Sequence, residues 1–599
     1  MINKNNSILL PGTLFDDRGG WIADPQFMEV MQSSELLAHG LGKPVKDAVT
    51  AFAVPESAEY RVWVRSKNWA AYWTDKGPGK FQVKLDGAAL PAVFGTGSPE
   101  WHWQDGGTIV LEAGRHILAV HDLDGFEARF DAVLLTSAKD VPADIDALRR
   151  ALLPLPEKPE DKGSFDFVVV GGGVAGMCAA ISAARLGCKV ALIQDRKVYG
   201  GNNSSEVRVG LGGRLNIGLF PSLGYLLNEF GPAQKGNARP AEVYEDDKKA
   251  AAIAAENNIT AFAGYRVTAV EKKGEAIAAV IATQVDDYSE IRIAGRCFAD
   301  CTGDATLGVL AGAKWAMGRE AKSVYNEPSA PEKADGTTLG ASIQWYSESE
   351  PAPVEFPDID WGLPIDEETV QNARRGQWYW EVGMKDNMID EAEKIRDYGM
   401  YVAYSNWSYL KNHSRFKEEV ANERFAWLSY YAGKRESRRL FGDLVLTEND
   451  LRDFVQYPDG CVSTSWYIDD HEPDPENAAR FRDPWLSRGR LTPLDYYPIP
   501  FRCLYNRDVP NMFMAGRDIS VSHLALGTVR VMRTCAMEGE VIGMAADVCR
   551  RRACAPRDIY KEHFDELKAL MQKGTGDSTK PYLQTYTLID TTAERSENC

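Results

Sequence analysis

Before Cys178 the chain has no cysteine, and the ten it does have are spread from there to Cys599 without a single C-x-x-C. The closest pairs are Cys297 with Cys301 and Cys549 with Cys554. That spread excludes a disulfide framework or a zinc site and predicts reduced, mostly buried thiols. Histidine is scarce: eight residues, scattered, with no H-E-x-x-H, which leaves no metal to predict. Positive charge is also short. Lys and Arg number 68 against 86 Asp and Glu, for a formal net charge of -18, and no basic cluster interrupts the excess. A nucleic-acid backbone would be repelled. Long apolar runs are missing too. The longest charge-free stretch worth weighing, 167–184, contains four glycines and reads as strand, turn and helix, not as a membrane span. The opening "MINKNNSILLPGTLFDD" has an apolar run of only three residues before Pro11, too short for a signal-peptide core. The expectation is a cytoplasmic protein, or a periplasmic one whose leader has been removed.

What is present is ordinary globular composition, 44% apolar and 26% charged, on 599 residues, enough for about three to four domains. Residues 1–150 hold short alternating runs ("YRVWVR", "FQVKLDG", "GTIVLEAGRHILAVHD", "FDAVLL") separated by Gly and Asp-Gly turns. This predicts an all-β sandwich. Six of the fifteen tryptophans lie there. Trp69, Trp73 and Trp101, in turn-rich segments, could form a stacking face for sugar rings or pack against the next domain. "LPLPEKPEDKG", Leu153 to Gly163, reads as an extended linker, the boundary falling at 151–163.

After it comes "FDFVVVGGGVAGMCAAISAARLGCKVALIQD": a buried strand, Gly171-x-Gly173-x-x-Gly176, a small-residue helix and a second strand. In that frame the motif predicts a dinucleotide pyrophosphate at a helix N-terminus. The acidic residue that would bind ribose is replaced by Gln194 followed by Asp195, and either could serve. Two further strand–helix segments, one with Gly303 and Asp304, the other with Gly516 and Asp518, suit a flavin dinucleotide, not a nicotinamide one. In that reading Asp518 bonds the ribitol or pyrophosphate side of FAD. A final helix from about Val529 aims its N-terminus at the flavin C2 carbonyl and N1.

The chain therefore resembles the FAD-dependent oxidoreductase family of the glutathione-reductase and fumarate-reductase superfold, in the branch found in bacterial carbohydrate-degrading gene sets. "GGGVAGMCAA", "YGGNNSSEVRVGLGG", "TGDAT", "ESRRLFGDLVLTENDL" and "AGRDISVSHLALGTVRVM" carry the resemblance. The N-terminal part resembles the galactose-binding-like jelly rolls used as carbohydrate-binding modules. The implied fold is α/β: a Rossmann-like FAD domain (164–330 and 495–550) with an inserted α+β cap (331–494), a jelly roll before it and a C-terminal helix and tail (551–599). The resemblance implies that Gly200, Gly201, Asn202, Asn203 and Ser204 lie against the flavin and its ribityl chain, with Glu206 and Arg208 one turn on, near the substrate. Thr528 joins the cofactor set. His523 is implied as the base for a carbinol oxidised by hydride transfer to flavin N5, and Arg530 as a holder of a substrate carboxylate or of the flavin carbonyl. Arg438 and Arg439 read as structural partners of Glu436. Trp378, Trp380, Tyr404 and Trp407 are cap core or a sugar platform.

No cysteine pair follows Gly200 and Gly201, which argues against a dithiol reductase. A single G-x-G-x-x-G leaves either an external electron acceptor or a redox-neutral cycle of oxidation and elimination. A carbohydrate-binding protein with an inactive flavin site is the rival from another class. The expected partner is a sugar, glycoside or oligosaccharide; nucleic acid and membrane are not expected, and a homo-oligomer is allowed. Because every cofactor motif lies beyond the linker, a chain beginning near Gly163 should keep its flavin.

Overall fold

The computed structural model describes residues 7–138, 141–142 and 145–581. The tail beyond, including Cys599, lies outside the described residues. The N-terminal region is a sandwich of a six-stranded and a four-stranded sheet. Strands such as Phe81–Leu85 alternate buried and half-buried residues, as a one-sided sheet requires. Ala128–Thr136 differs: it pairs with three strands and every residue in it is buried.

The second core is a seven-stranded sheet. Ile259–Ala263, Val190–Gln194, Glu160–Val170, Glu290–Asp300 and Met512–Met514 run parallel, and Ala276–Gln284 and Tyr265–Lys273 add an antiparallel hairpin. Phe167, Val168 and Val169 are fully buried, as a central strand covered on both faces requires. The helix Val174–Arg185 packs on the helix Met532–Arg552 through small residues: a Cβ on Gly539 would stand 2.0 Å from Ala175 O. The strand Glu160–Val170 begins inside the expected linker, and Glu160 and Asp161 already pair with Ile291 and Arg292. Extended chain between the two cores is thus shorter than composition implies.

The cap consists of paired short strands around the helix Ala392–Asn412. Trp345, Trp407 and Trp485 are fully buried there, with Trp380 close behind. Trp69 and Phe126 of the sandwich belong to this same apolar cluster. Trp73 stacks on Tyr401 at 5.3 Å, and Trp101 donates from Nε1 to Glu393. These tryptophans make interdomain contacts, Trp69 fully buried and Trp73 and Trp101 half-buried. Charged groups seal the same joint: Arg129 pairs with Glu393 (2.9 Å) and Asp397 (3.0 Å), and Arg396 with Asp24 (2.7 Å). The nine described cysteines are free thiols, all but Cys554 buried. Among the described residues no helix is long and apolar enough to cross a membrane.

Candidate active site

Four parallel strands end side by side at Val170, Gln194, Asp300 and Met514. The chain just after each turns into one cavity of about 880 Å³, lined there by Gly171, Asp195, Cys301 and Gly516. Ligands of open parallel sheets bind at such carboxyl ends.

The three motif glycines have different jobs. Gly171 has φ +103°, and a Cβ there would lie 2.3 Å from Cys301 O. A Cβ on Gly176 would lie 1.8 Å from Gly171 O. The fold itself requires both, and Gly176 does not reach the cavity wall. Gly173 is otherwise. Its φ of -67° suits any residue, and a Cβ would meet nothing nearer than Gly201 Cα at 3.8 Å. It caps a twelve-residue helix whose N-terminus has no side-chain cap. The space in front of Gly173 is left open by the protein, beside unpaired helix N–H groups that favour an anion.

Cations surround that space. Lys434 and Arg517 (3.3 Å) pair with Asp304. Burial alone would raise the Asp304 carboxyl, but these two charges hold it well below the usual carboxylate range. Arg266 Nη1 meets Asp195 Oδ2 at 3.1 Å. Arg517 Nη1 and Arg266 Nε are buried with no protein partner. Such orphaned donors beside an open cradle fit a pyrophosphate and ribose.

Gly200, Gly201, Asn202, Gly303 and Asp304 line the cavity as expected. Gln194 and Asp195 both line the cavity, but the Gln194 amide is occupied: it accepts from Gly172 N (2.7 Å) and donates to Val198 O, so it ties down the glycine loop. Asn203 and Ser204 are fully buried and bond Val209 O and Gly201 O, holding the loop's shape and touching no cavity. Asp518 lies behind the wall, accepting from Gly303 N beside Asp300; burial and that neighbouring carboxylate push its carboxyl up. Thr528 donates to Trp466 O and is likewise behind the wall. Arg208, at φ +60°, bonds Ser205 O and Arg239 O and lies 3.8 Å over the Trp427 ring. Glu206 pairs with Arg196. Neither is among the residues that line the cavity.

His523 is also displaced from its expected role. It begins the helix His523–Val529, is buried, and has Glu436 at Nδ1 (2.9 Å) and Asp470 at Nε2 (3.4 Å). Burial would lower its pKa, but Glu436 and Asp470 outweigh it and push it up to about 9. Both ring nitrogens face carboxylates, and His523 is not among the residues that line the cavity. Arg439 pairs with Glu436 and with Glu320, as a structural reading of the double arginine anticipates.

The cavity's far end has a different imidazole. Among the lining residues the one histidine is His471, with Glu381 at Nδ1 (2.6 Å) and Asp469 at Nε2 (3.0 Å). Asp469 also takes Arg530 Nη2 at 2.8 Å. Arg435 stands 3.5 Å from Glu381. Burial works to lower the His471 pKa, but Glu381 and Asp469 raise it overall. Trp378 lies 5.4 Å from the His471 ring, and Tyr379, Trp466 and Tyr467 complete the wall. Trp380, Tyr404 and Trp407 are cap core, so of the four cap aromatics only Trp378 faces the cavity. Arg530 is placed here because the loop expected before the final helix is itself helical, His523–Val529, and the final helix starts at Met532 instead of about Val529, leaving Arg530 and Val531 between the two. Val531, Met532 and Arg533 present that N-terminus to the cavity.

The sequence did hold a signal for His471. In the strand Ile468–Pro473, Asp469 and His471 share one face by the two-residue period. The acidic surroundings "IDDHEPD" look like a solvated charge run and hide it. Arg266, Lys434 and Arg517 carried no comparable signal.

No curated protein sequence matches the chain. Among solved structures, a geranylgeranyl bacteriochlorophyll reductase-like protein from Thermoplasma acidophilum is 13% identical, covering 68% of this chain and 83% of that one at a TM-score of 0.32. The myxobacterial chondrochloren halogenase CndH is 14% identical over 73% and 88%, at 0.30. The Podospora anserina GH26-CBM35 β-(1,4)-mannanase is 13% identical over 35% of this chain and 52% of its own, so the chain spans about half of that enzyme, at 0.19. At these TM-scores the likenesses decide neither fold nor chemistry. The family model described as FAD dependent oxidoreductase matches residues 166–571, more than half of the chain and every element of the cavity's glycine cradle. The chain belongs to the FAD-dependent oxidoreductase family, and FAD is its cofactor.

Proposed function

We propose that this oxidoreductase oxidises a carbinol of a sugar or glycoside, with His471 rather than His523 as the group that takes the hydroxyl proton. The observation that carries the reading is the composition of the cavity end opposite the glycine cradle: aromatic rings from Trp378, Tyr379, Trp466 and Tyr467 around the polar cluster Arg435, Asp469, His471 and Arg530. Rings offer faces to the C–H side of a pyranose, and fixed guanidinium and carboxylate groups match its hydroxyls. FAD, when bound, supplies the acceptor for the two electrons. Glu381 fixes the ring of His471 through Nδ1, and Asp469 bridges Nε2 to the cavity. The hydroxyl proton would pass by Asp469 to Nε2. Arg530 and Arg435 hold the oxygen in place. The sandwich is then a structural partner of the cap, and glycan recognition rests in the cavity.

The test is anaerobic mixing of the holoenzyme with a panel of glycosides while flavin absorbance is followed. Bleaching by some of them is expected. Product release without net bleaching would favour the redox-neutral cycle, and silence toward every glycoside would overturn the reading. His471→Gln should slow reduction by roughly two to four powers of ten. Because its carboxylate partners raise the His471 pKa above the ordinary 6.5, the wild-type rate should climb with pH through an ionisation above that value. The His471→Gln protein should lose the climb.

A further inference from the structure

The cofactor end of the cavity is not built by the FAD domain alone. Gln26 and Phe27 of the N-terminal sandwich line it. Next to them the short helix Met28–Met31 carries Glu29, whose carboxylate reaches across the domain boundary. Its Oε1 lies 3.1 Å from Arg266 Nη2 and 3.2 Å from Thr306 Oγ1, and Arg438 Nη2 stands 3.9 Å away. The same Arg266 guanidinium uses Nη1 to hold Asp195, a carboxylate that lines the cavity. Its Nε is buried without a protein partner. One planar cation thus bridges two carboxylates from different domains. Its remaining donor sits beside the cavity.

We infer that Glu29 is a positioning residue for the dinucleotide: it fixes Arg266, Arg266 fixes Asp195, and docking of the sandwich and binding of FAD are therefore linked. Geometry carries the inference. A guanidinium held at one nitrogen can swing about its stem, but one held at two by opposed carboxylates keeps its plane. Asp195 presents its free lone pairs in a fixed direction only while that plane is kept. The segment is anchored to the cap, since Gln26 donates to Tyr430 O and Asp24, away from the cavity wall, pairs with Arg396. The contact is thus delivered by the domain joint.

The experiment titrates FAD into the flavin-free full-length chain and reads the dissociation constant by flavin fluorescence. It compares wild type, Glu29→Ala, Glu29→Asp and a control, Lys76→Ala. Lys76 pairs with Asp360 on the exposed rim of the same domain joint. Glu29→Ala should weaken FAD roughly tenfold, within the usual range of site-to-site coupling. Glu29→Asp should recover part of the loss, and Lys76→Ala should bind as wild type. The thermal midpoint of each flavin-free chain separates this from loss of folding. Glu29→Ala with unchanged FAD affinity would overturn the inference. So would a loss matched by Lys76→Ala, which would assign the effect to the joint as a whole.

Discussion

At the level of single residues, the glycine motif divides into positions the protein needs and one that the ligand needs. Gly171 and Gly176 are demanded by backbone contacts as close as 2.3 and 1.8 Å to a hypothetical Cβ. Substituting either should unfold the loop. Gly173→Val meets no protein atom inside ordinary contact distance, so the chain should fold normally. Its side chain should instead occupy the pyrophosphate's path and abolish flavin binding. The expected purification result is a colourless protein with a wild-type thermal midpoint for its flavin-free form. A yellow Gly173→Val protein would place the pyrophosphate elsewhere. The same contrast explains what could be read in advance. Gly-x-Gly-x-x-Gly announces a turn and a ligand because only the absence of a side chain serves both. The carboxylates and guanidiniums around it announce nothing, since their roles depend on partners 71 to 213 residues away. Asp518 and His523 look placed for chemistry in the sequence, but they pack beside Asp300 and Glu436 and are not among the residues lining the cavity.

Among the elements, the contact between Val174–Arg185 and Met532–Arg552 places both helix N-termini at the cavity. It works through backbone approach: Cβ atoms on Gly539 and Gly543 would stand 2.0 Å from Ala175 O and 2.5 Å from Ala179 O. Gly539→Val should force the helices apart and shift Val174 and Met532, both of which line the site. We expect a lowered thermal midpoint together with loss of bound flavin, read as absorbance per protein. Retention of both would show that the helices tolerate separation. The small-residue composition of these helices made their close packing legible. The break at Arg530–Val531 was not legible, because "LGTVRVM" contains no proline and no glycine after Gly527. It is imposed by tertiary bonds, Thr528 to Trp466 O and Arg530 to Asp469. Likewise the start of the strand at Glu160 depends on a partner at Ile291, and its Pro- and charge-rich approach masks it.

For the molecule as a whole, the joint between sandwich and cap governs behaviour. A chain beginning near Gly163 would leave Arg396 and Asp397, both fully buried, without Asp24 and Arg129. It would also bare the aromatic surface around Tyr398, Tyr401 and Trp361. Arg396 and Asp397 would keep each other at 2.7 Å, but the rest of the buried network would be lost, and leaving a buried charge unpaired costs about 3–5 kcal/mol. We expect that shortened chain to be poorly soluble and flavin-free, the reverse of what the position of the motifs suggests. Soluble protein with stoichiometric flavin would refute this. The strand Met512–Met514 and the helix Met532–Arg552 complete a sheet and a cradle begun more than three hundred residues earlier, at Glu160 and Val174. On a ribosome adding roughly 5–20 residues per second, the sandwich emerges first and has to wait for the partners of Asp24 and Arg129. The cradle around Gly173 stays open until the last helix has left the exit tunnel. Flavin capture therefore comes late, after the helix Met532–Arg552 has emerged, and a chain stalled before Met532 would be a client for chaperones instead of a working enzyme.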